Sequence, residues 1–485
     1  HSINALIGTE NISSKTNGIG GSRQNFDNTT GAFRYLDYGS DLNKSSAGSA
    51  TEWSLVSFFA SANYAFDNKY FVSGTMRADG SSRFGPNNKW GYFPSVSAGW
   101  RISQEDFMKD VSWISDLKLR GSWGQAGNQE IPDHAYETLV TKVGGVVNTV
   151  RYGNPDIQWE TTSQTDIGID LSMLKNKLTV SADYFNKSTD DILLSVGLPA
   201  VSVGVIQSTY VNAGQVTNKG FELGIGYQNN DHAFKYSVNG NFATVTNKVN
   251  KLQQFVKNII DDATHTRTEV GQPISSYYGL VFDGIYQNAA EVSKVLFANA
   301  NGTLPGDIRF RDLNNDGQIT ADDRAFIGNA IPKLNYGFFF NSDYKNFDLS
   351  FLIQGVEDVD RYNDLKQILN YDSRPFNSTT AVLAGWHGEG TSNTTPRVTF
   401  NNNGGGNVSS VFVEDASYMR LKNVELGYTL NIKSGSIKSL RFYVSAQNLF
   451  TITDYTGLDP ESTSLIDKGT YPLSRGFLIG AKMKL

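Results

Sequence analysis

Residues 311–324 read RDLNNDGQITADDR, and their oxygen-bearing side chains recur at the spacing a calcium ion uses. Calcium takes about six to eight oxygen ligands. An EF-hand loop supplies them from its first, third, fifth, seventh (a backbone carbonyl), ninth and twelfth positions, with glycine at the sixth for the sharp turn. Here those positions are Asp312, Asn314, Asp316, the carbonyl of Gln318, Thr320 and Asp323, with Gly317 at the turn and Ile319 as the apolar anchor. The competing reading is an Asn/Asp/Gly turn that bonds its own backbone and needs no metal. With no second paired loop and no long flanking helix to move, the expectation is a structural calcium ion rather than a sensor.

Other chemistry finds little support. His1, His134, His232, His265 and His387 are scattered, and none forms the i, i+4 pair of an HExxH zinc site. The chain has no cysteine, which removes disulfides, thiolate catalysis and Cys-ligated zinc. There is no GxSxG elbow and no phosphate loop. Carboxylates are so plentiful that a glycosidase-like pair could be drawn anywhere, so that signal carries nothing. The expectation is a protein that is not an enzyme and holds no organic cofactor. Ligand contact is the better candidate. Tyr277, Tyr278, Phe282 and Tyr286 in one loop, with Trp386 and His387 in another, offer faces suited to sugar rings, peptide side chains or a covering partner. The alternative for these six is that the loops pack on themselves.

Residues in loops need a frame, and composition indicates which kind. Tyr (23), Phe (29) and Gly (47) are abundant while Pro (12) is sparse, a mixture suited to many strands joined by turns. At 485 residues the chain suits either several ordinary domains or one large β-structure. A net charge of −6 argues against a nucleic-acid partner, whose binders carry basic patches. No stretch approaches the roughly 18 apolar residues of a membrane helix, and mean hydropathy is −0.34. A membrane β-barrel is untouched by that test, because its strands alternate and their hydropathy averages out. The chain opens HSINALIGTE, so any signal peptide is expected to lie outside this sequence.

The alternation is explicit. In WGYFPSVSAGWRIS (90–103), Trp90, Tyr92, Val96, Ala98, Trp100 and Ile102 share one face, and Ser95, Ser97, Gly99, Arg101 and Ser103 the other. Charged residues in such runs (Arg101, Lys118, Arg120, Asp170, Glu222, Lys235, Glu425, Arg441, Lys482) keep to the Gly/Ser face. The apolar face stays uncharged, as a lipid-facing wall requires. Fourteen strands are predicted, near 1–10, 52–66, 70–79, 90–103, 117–126, 162–173, 178–190, 220–228, 234–247, 335–344, 346–357, 418–430, 439–451 and 472–485. Short links (67–69, 174–177, 229–233, 345–346) alternate with long ones (11–51, 127–161, 191–219, 251–334, 358–417). In an up-and-down antiparallel barrel this puts the long loops at one end, although two links blur the rule, 104–116 on the short side and 80–89 on the long side. The predicted fold class is therefore all-β, a transmembrane antiparallel barrel.

Several phrases are specific. RADGSSRFG (77–85), NKWGYFPSVSAGWRISQEDF (88–107), NPDIQWETTSQTDIGIDLSMLKNKLTVSADYFNKSTDDIL (154–193), NAGQVTNKGFELGI (212–225), GQPISSYYGLVFDGIYQ (271–287), ASYMRLKNVELGYTL (416–430) and SAQNLFTITDYTGLDPE (445–461) come in the right order along nearly the whole chain. Together they resemble the SusC/RagA family of TonB-dependent outer-membrane transporters of Bacteroidetes. The resemblance implies a 22-stranded barrel, of which residues 1–485 form the C-terminal part, around an N-terminal plug domain. No plug and no TonB box can be read in these residues. It further implies a location in the cell outer membrane in contact with lipid, and a SusD-like surface lipoprotein capturing oligosaccharides or peptides. Energy would come from TonB, ExbB and ExbD, and SusC–SusD pairs would assemble as dimers. One smaller departure from the family is that the chain ends on Leu485 rather than an aromatic residue; in the calcium loop, Asp323 at the last position resembles the dockerin variant rather than an EF-hand. A passive fourteen-stranded pore and a soluble calcium-bearing carbohydrate-binding β-protein stand as the alternatives.

Overall fold

All fourteen alternating segments form strands. The computed structural model describes residues 1–28, 30–31, 34–143, 145–198, 207–253, 256–294, 302–371, 377–432 and 436–485; the remaining positions lie outside the described residues. One antiparallel sheet carries the strands in chain order, each beside its sequence neighbour. They are β1 (Ser2–Gln24), β2 (Ser40–Phe66), β3 (Tyr70–Ser81), β4 (Trp90–Arg101), β5 (Ile114–Asn128), β6 (Glu160–Met173), β7 (Leu178–Asp190), β8 (Gly214–Asn229), β9 (Phe234–Thr244), β10 (Leu334–Tyr344), β11 (Phe347–Glu357), β12 (Tyr418–Asn431), β13 (Ser439–Thr453) and β14 (Gly476–Lys484). A short strand at Thr246–Leu252 turns back to pair with β8. The chain divides into two compact units, described in turn.

The first unit comprises His1–Ala98, Ser122–Gln164 and Thr189–Gly214. Its β1 and β2 are longer than predicted, pairing from Ser2↔Ala65 to Gln24↔Ser40 with a register shift after Ser22. The extension was hidden because residues 15–24 and 40–51 are mostly small or polar, with Ile19 and Leu42 as isolated large apolar residues and no apolar alternation. The ladder needs only backbone, and a Ser22–Ser45 hydroxyl contact at 2.7 Å adds to it. The β2–β3 turn holds Asp67 and Asn68 at φ 53° and 52°, with Lys69 N–H donating to the Phe66 carbonyl. That twist suits the tight three-residue link 67–69 between the paired Phe66 and Tyr70, and Asp and Asn tolerate it. Phe84, Phe93, Ile131, Ile157 and Trp159 form a small core beneath the longer links of this unit.

The second unit comprises Gly99–Gly121, Thr165–Ser188 and Gln215–Leu485. Here β8 to β14 pair antiparallel, with register shifts at Leu352/Ile353 and Leu421/Asn423, and apolar residues line up across strands: Leu349↔Leu426↔Val444↔Ile479 is one row and Phe347↔Tyr428↔Phe442↔Ala481 another. These rows face out. Val444 is 50% exposed and Ile479 90%, the inverse of a water-soluble sheet packed on its own core. Aromatic pairs gather at the short-turn end, Phe347 with Tyr428 at 4.7 Å and Phe234 with Tyr344 at 6.3 Å, as in the interfacial girdle of a membrane barrel.

The long links of this unit are not bare loops. Asn258–Asp261, Thr266–Glu269, Ser276–Leu280 and Arg324–Gly328 build a four-stranded sheet. Phe282–Ile285 pairs with Ile308–Phe310, and Asp360–Asn363 lies between Val413–Asp415 and Ile466–Asp467. Strands of two to five residues are too short to show a period, which is why the sequence reads as loop there.

Candidate functional site

Two arrangements carry the protein's chemistry, the polar face of the sheet and the body built by the long links. On the polar face, arginines reach acids on neighbouring strands. Arg101 grips Asp116 with both arms, Nε–Oδ1 2.7 Å and Nη2–Oδ2 2.9 Å, while Ser103 Oγ donates to the same carboxylate at 2.6 Å. Arg120 spans Asp170 (3.1 Å) and Asp183 (2.6 Å). Arg441 joins Asp348, at 2.9 Å through Nε, and Glu425 at 2.6 Å. In the first unit Arg77 pairs with Asp79 on its own strand (2.8 Å) and reaches Glu10 on β1 (3.1 Å).

These pairs explain why glycine shares a face with charge. A Cβ at Gly427 would lie 2.4 Å from Arg441 Nη2 and 2.5 Å from Asp348 Oδ2, and one at Gly168 would lie 2.2 Å from Asp183 Oδ1. The Arg441 guanidinium lies against Gly427 and that of Arg120 against Gly168. Half-exposed pairs of this kind contribute little stability individually. Their effect is to keep a charged, hydrated wall in fixed geometry along one side of the sheet.

The body of long links has its own hydrophobic core of Tyr277, Leu280, Ile285, Ile308, Phe310, Tyr362, Tyr371, Phe412 and Ile466. Tyrosine hydroxyls tie it together. Tyr277 donates to the Leu465 carbonyl, Tyr362 to Gln367 Oε1 at 2.9 Å, and Tyr455 to Asp467 Oδ2 at 2.8 Å. Burial pushes the Tyr277 phenol up to about 12, so it stays a neutral donor. Arg397 meets the fully buried Asp307 at 2.7 Å. Glu414 accepts from Lys366 Nζ at 2.7 Å and from Thr456. Burial would raise its carboxyl, but the Lys366 and Thr456 hydrogen bonds outweigh it and the net shift is downward.

This core corrects the aromatic expectation. Tyr277 (0% exposed) and Tyr286 (1%) are sealed inside the body, so neither presents a face to a ligand. Phe282 and Trp386 pack against the same core, and Trp386 Nε1 donates to Gln287 at 3.2 Å. Tyr278 is half-buried, between the Arg267 guanidinium at 4.6 Å and the Phe326 ring at 5.3 Å. Of the six, His387 alone is exposed, its Nδ1 3.0 Å from the Gly385 carbonyl. Aromatic residues in a long link look alike in sequence whether they anchor the link or meet a ligand. The residues missed were Tyr362, Tyr371, Phe412 and Ile466, whose partners lie far away in the chain.

At 312–323 the side chains close their own turns. Asp312 Oδ1 accepts from Asn315 N at 2.7 Å and Oδ2 from Gly317 N at 2.8 Å; Gly317 itself sits at φ 80°, where a Cβ would be strained. Asn314 accepts from Asp316 N, and Asp316 from Gln318 N. Asp323 is buried and bridges the ends, accepting from Leu313 N at 2.9 Å and Thr320 N at 2.7 Å. Its burial would raise the carboxyl, but those backbone donors hold it below the usual range. Thr320 caps the short helical turn Ala321–Asp323. Among the described residues no group of three or more Asp, Glu or His side chains stands close enough to hold a metal ion.

Residues 4–449 match the family described as TonB dependent receptor-like, beta-barrel. The chain belongs to that family. The TonB-dependent receptor P3 of Formosa agariphila is 34% identical over 469 residues, covering 89% of this chain and 46% of that protein. The TonB-dependent receptor SusC of Bacteroides thetaiotaomicron is 32% identical over 470 residues, covering 90% and 44%. Among solved structures, the RagAB peptide transporter superposes with a TM-score of 0.85 at 26% identity, over 99% of this chain and 53% of that one. The chain thus spans about half the length of the relatives it matches. The SusC/RagA resemblance and the all-β barrel fold expected from the sequence both stand.

Proposed function

We propose that this chain is the C-terminal barrel portion of a SusC-type importer in the outer membrane. Its outward rows sit in lipid, its ion-paired face lines the transport path, and the body of long links faces outside the cell. There it meets a SusD-like surface lipoprotein that captures an oligosaccharide or a peptide. TonB, with ExbB and ExbD, supplies the energy, and the importer–lipoprotein pairs form dimers. No chemistry is performed on the cargo. The observation that carries the reading is the exposed row Leu426–Val444–Ile479 backed by the Arg441–Asp348–Glu425 pairs in a member of this family. Purification of the intact protein from outer membranes, with its neighbouring lipoprotein and mass spectrometry of bound small molecules, tests it. Recovery in the soluble fraction would end the proposal.

A pair of substitutions separates the two faces. Val444→Arg places a cation in the lipid-facing row and is expected to cost about 2–4 kcal/mol of assembly, read as loss of the heat-modifiable band on gels. Ser445→Arg, one residue on and beside Glu425 on the polar face, is expected to leave that band intact. Equal tolerance of both would contradict a lipid-facing wall.

The loop at 312–323 is proposed as a structural calcium site. Asp312 Oδ1 and Oδ2 and Asp316 Oδ1 each accept one backbone hydrogen bond and Asp316 Oδ2 accepts one from Asn314 Nδ2, which leaves each oxygen a second lone pair of the kind a calcium ion uses. Asp312→Ala with Asp316→Ala is expected to open residues 311–324 to protease while leaving the barrel folded. Loss of the backbone bonds alone would also loosen the turn, so the metal is tested separately. Millimolar calcium is expected to slow cleavage of the wild-type loop and not of the double variant, and no protection of the wild type discards the ion.

A further inference from the structure

Between the rim of β10–β12 and the link that follows β13 lies a half-open cavity of about 340 Å³. Its walls are mostly apolar, with Pro332, Val356, Val359, Tyr418, Pro460 and Leu465 among them. One lining residue does not belong with these. Arg361 is only 8% exposed, and its Nε–H has no hydrogen-bond partner among the described residues. Its Nη1 donates to the Ser464 carbonyl, which ties the guanidinium down by one corner.

The acids around it are committed elsewhere. Glu414, directly across the strand pair from Arg361, accepts from Lys366 and Thr456. Asp360 accepts from Asn329 N. Glu461, which also lines the cavity, is held by Arg420 at 2.6 Å, Lys422 at 2.9 Å and Gln354 at 3.0 Å. A buried cation without a counter-ion is costly, and a site that keeps one is suited to an anion brought from outside. The Nε–H and Nη2 edge of a guanidinium is the edge that takes a carboxylate through two parallel hydrogen bonds.

We propose that this cavity binds a carboxylate carried on a compact apolar body. Arg361 pairs with the carboxylate, and the Pro332–Val356–Val359–Tyr418 wall covers the body. The volume stands at the small end of the roughly 300–1,000 Å³ of ligand pockets, so the ligand is small or is one end of something larger. This assignment rests on the cavity and does not depend on the importer reading.

Benzoate titrated into the full-length protein in detergent, followed by ligand-observed NMR, is the first probe. Wild type is expected to bind benzoate at least about tenfold more tightly than neutral benzyl alcohol. Arg361→Met is expected to lose that preference, and Arg361→Lys, which keeps the charge but not the fork, to weaken benzoate about threefold or more. N-acetylphenylalanine, which carries its carboxylate as a peptide terminus does, forms the second arm. Tighter binding than benzoate assigns the site to chain ends, and weaker binding assigns it to free acids. The proposal is overturned if benzoate and benzyl alcohol bind alike, if Arg361→Met retains benzoate, or if benzoate fails to bind and the cavity holds only water. Should Arg361→Met not fold, unchanged benzoate affinity in Arg361→Lys overturns it equally.

Discussion

Arg420→Ala is expected to destabilise the second unit by about 3–5 kcal/mol, because it strands the buried Asp459 carboxylate rather than merely removing a contact. Arg420 stands on β12 at 4% exposure. It donates through Nη2 to Asp459 at 2.6 Å, through Nη1 to Glu461 at 2.6 Å and through Nε to Thr451 at 2.8 Å. Asp459 is itself 5% exposed and accepts from Leu473 N and Glu461 N. Burial would raise its carboxyl, yet the Leu473 amide and Arg420 hold it below the ordinary range. A depressed carboxylate contributes stability that is present above its unfolded value of about 3.9 and is lost as pH falls through the folded value. In Arg420→Ala the arginine's share disappears and burial pushes Asp459 upward. The variant's deficit is therefore greatest near neutrality and shrinks on acidification, as Asp459 takes up a proton. The triple change Arg420→Met, Asp459→Asn, Glu461→Gln removes the charges together and is expected to recover most of the loss. Denaturant unfolding of the three proteins at pH 7 and pH 5 checks this; a deficit in Arg420→Ala below about 1 kcal/mol at pH 7 refutes the argument.

How much of this was legible beforehand depended on whether a segment repeats. Strands such as Trp90–Arg101 and Gly476–Lys484 show themselves because lipid on one side and water on the other force alternation over nine or more residues. The polar face was legible as a list of charged positions, and the structure added that Arg120 and Arg441 each bridge two acids over a glycine. The far halves of β1 and β2 carry no such constraint, so only their pairing reveals them. The body of long links was illegible for a different reason. Its contacts join residues as distant as Tyr277 and Leu465, and a tyrosine that will be buried looks the same as one that will meet a sugar. Arg361 gave no signal at all, since its isolation is defined by where Glu414, Asp360 and Glu461 direct their bonds.

Phe412→Ala is expected to cost the body of long links about 3–5 kcal/mol while sparing the wall. The ring is fully buried, 5.1 Å from Tyr371 in an edge-on contact and 5.9 Å from Tyr362. Truncation leaves a cavity between two tyrosines that cannot close in, because Tyr362 is tied to Gln367 and Tyr371 to the Thr394 carbonyl. Tyr277→Phe, which only strands the Leu465 carbonyl, is expected to cost about 1–3 kcal/mol. Proteolysis of segments 258–285 and 358–417 in folded protein reports the body, and the heat-modifiable band reports the wall. Accelerated cleavage with an intact band means the body is a separately stabilised platform, able to loosen without the barrel opening. That is the property a surface meeting a movable partner requires. Loss of both signals together would mean that Val359, Ala416 and Tyr455, which pack beside Val356 at the end of β11, couple body and wall into one cooperative unit. In that case motion of the long links could not be separated from unfolding of the barrel, and the lid-docking role proposed for them would have to be given up.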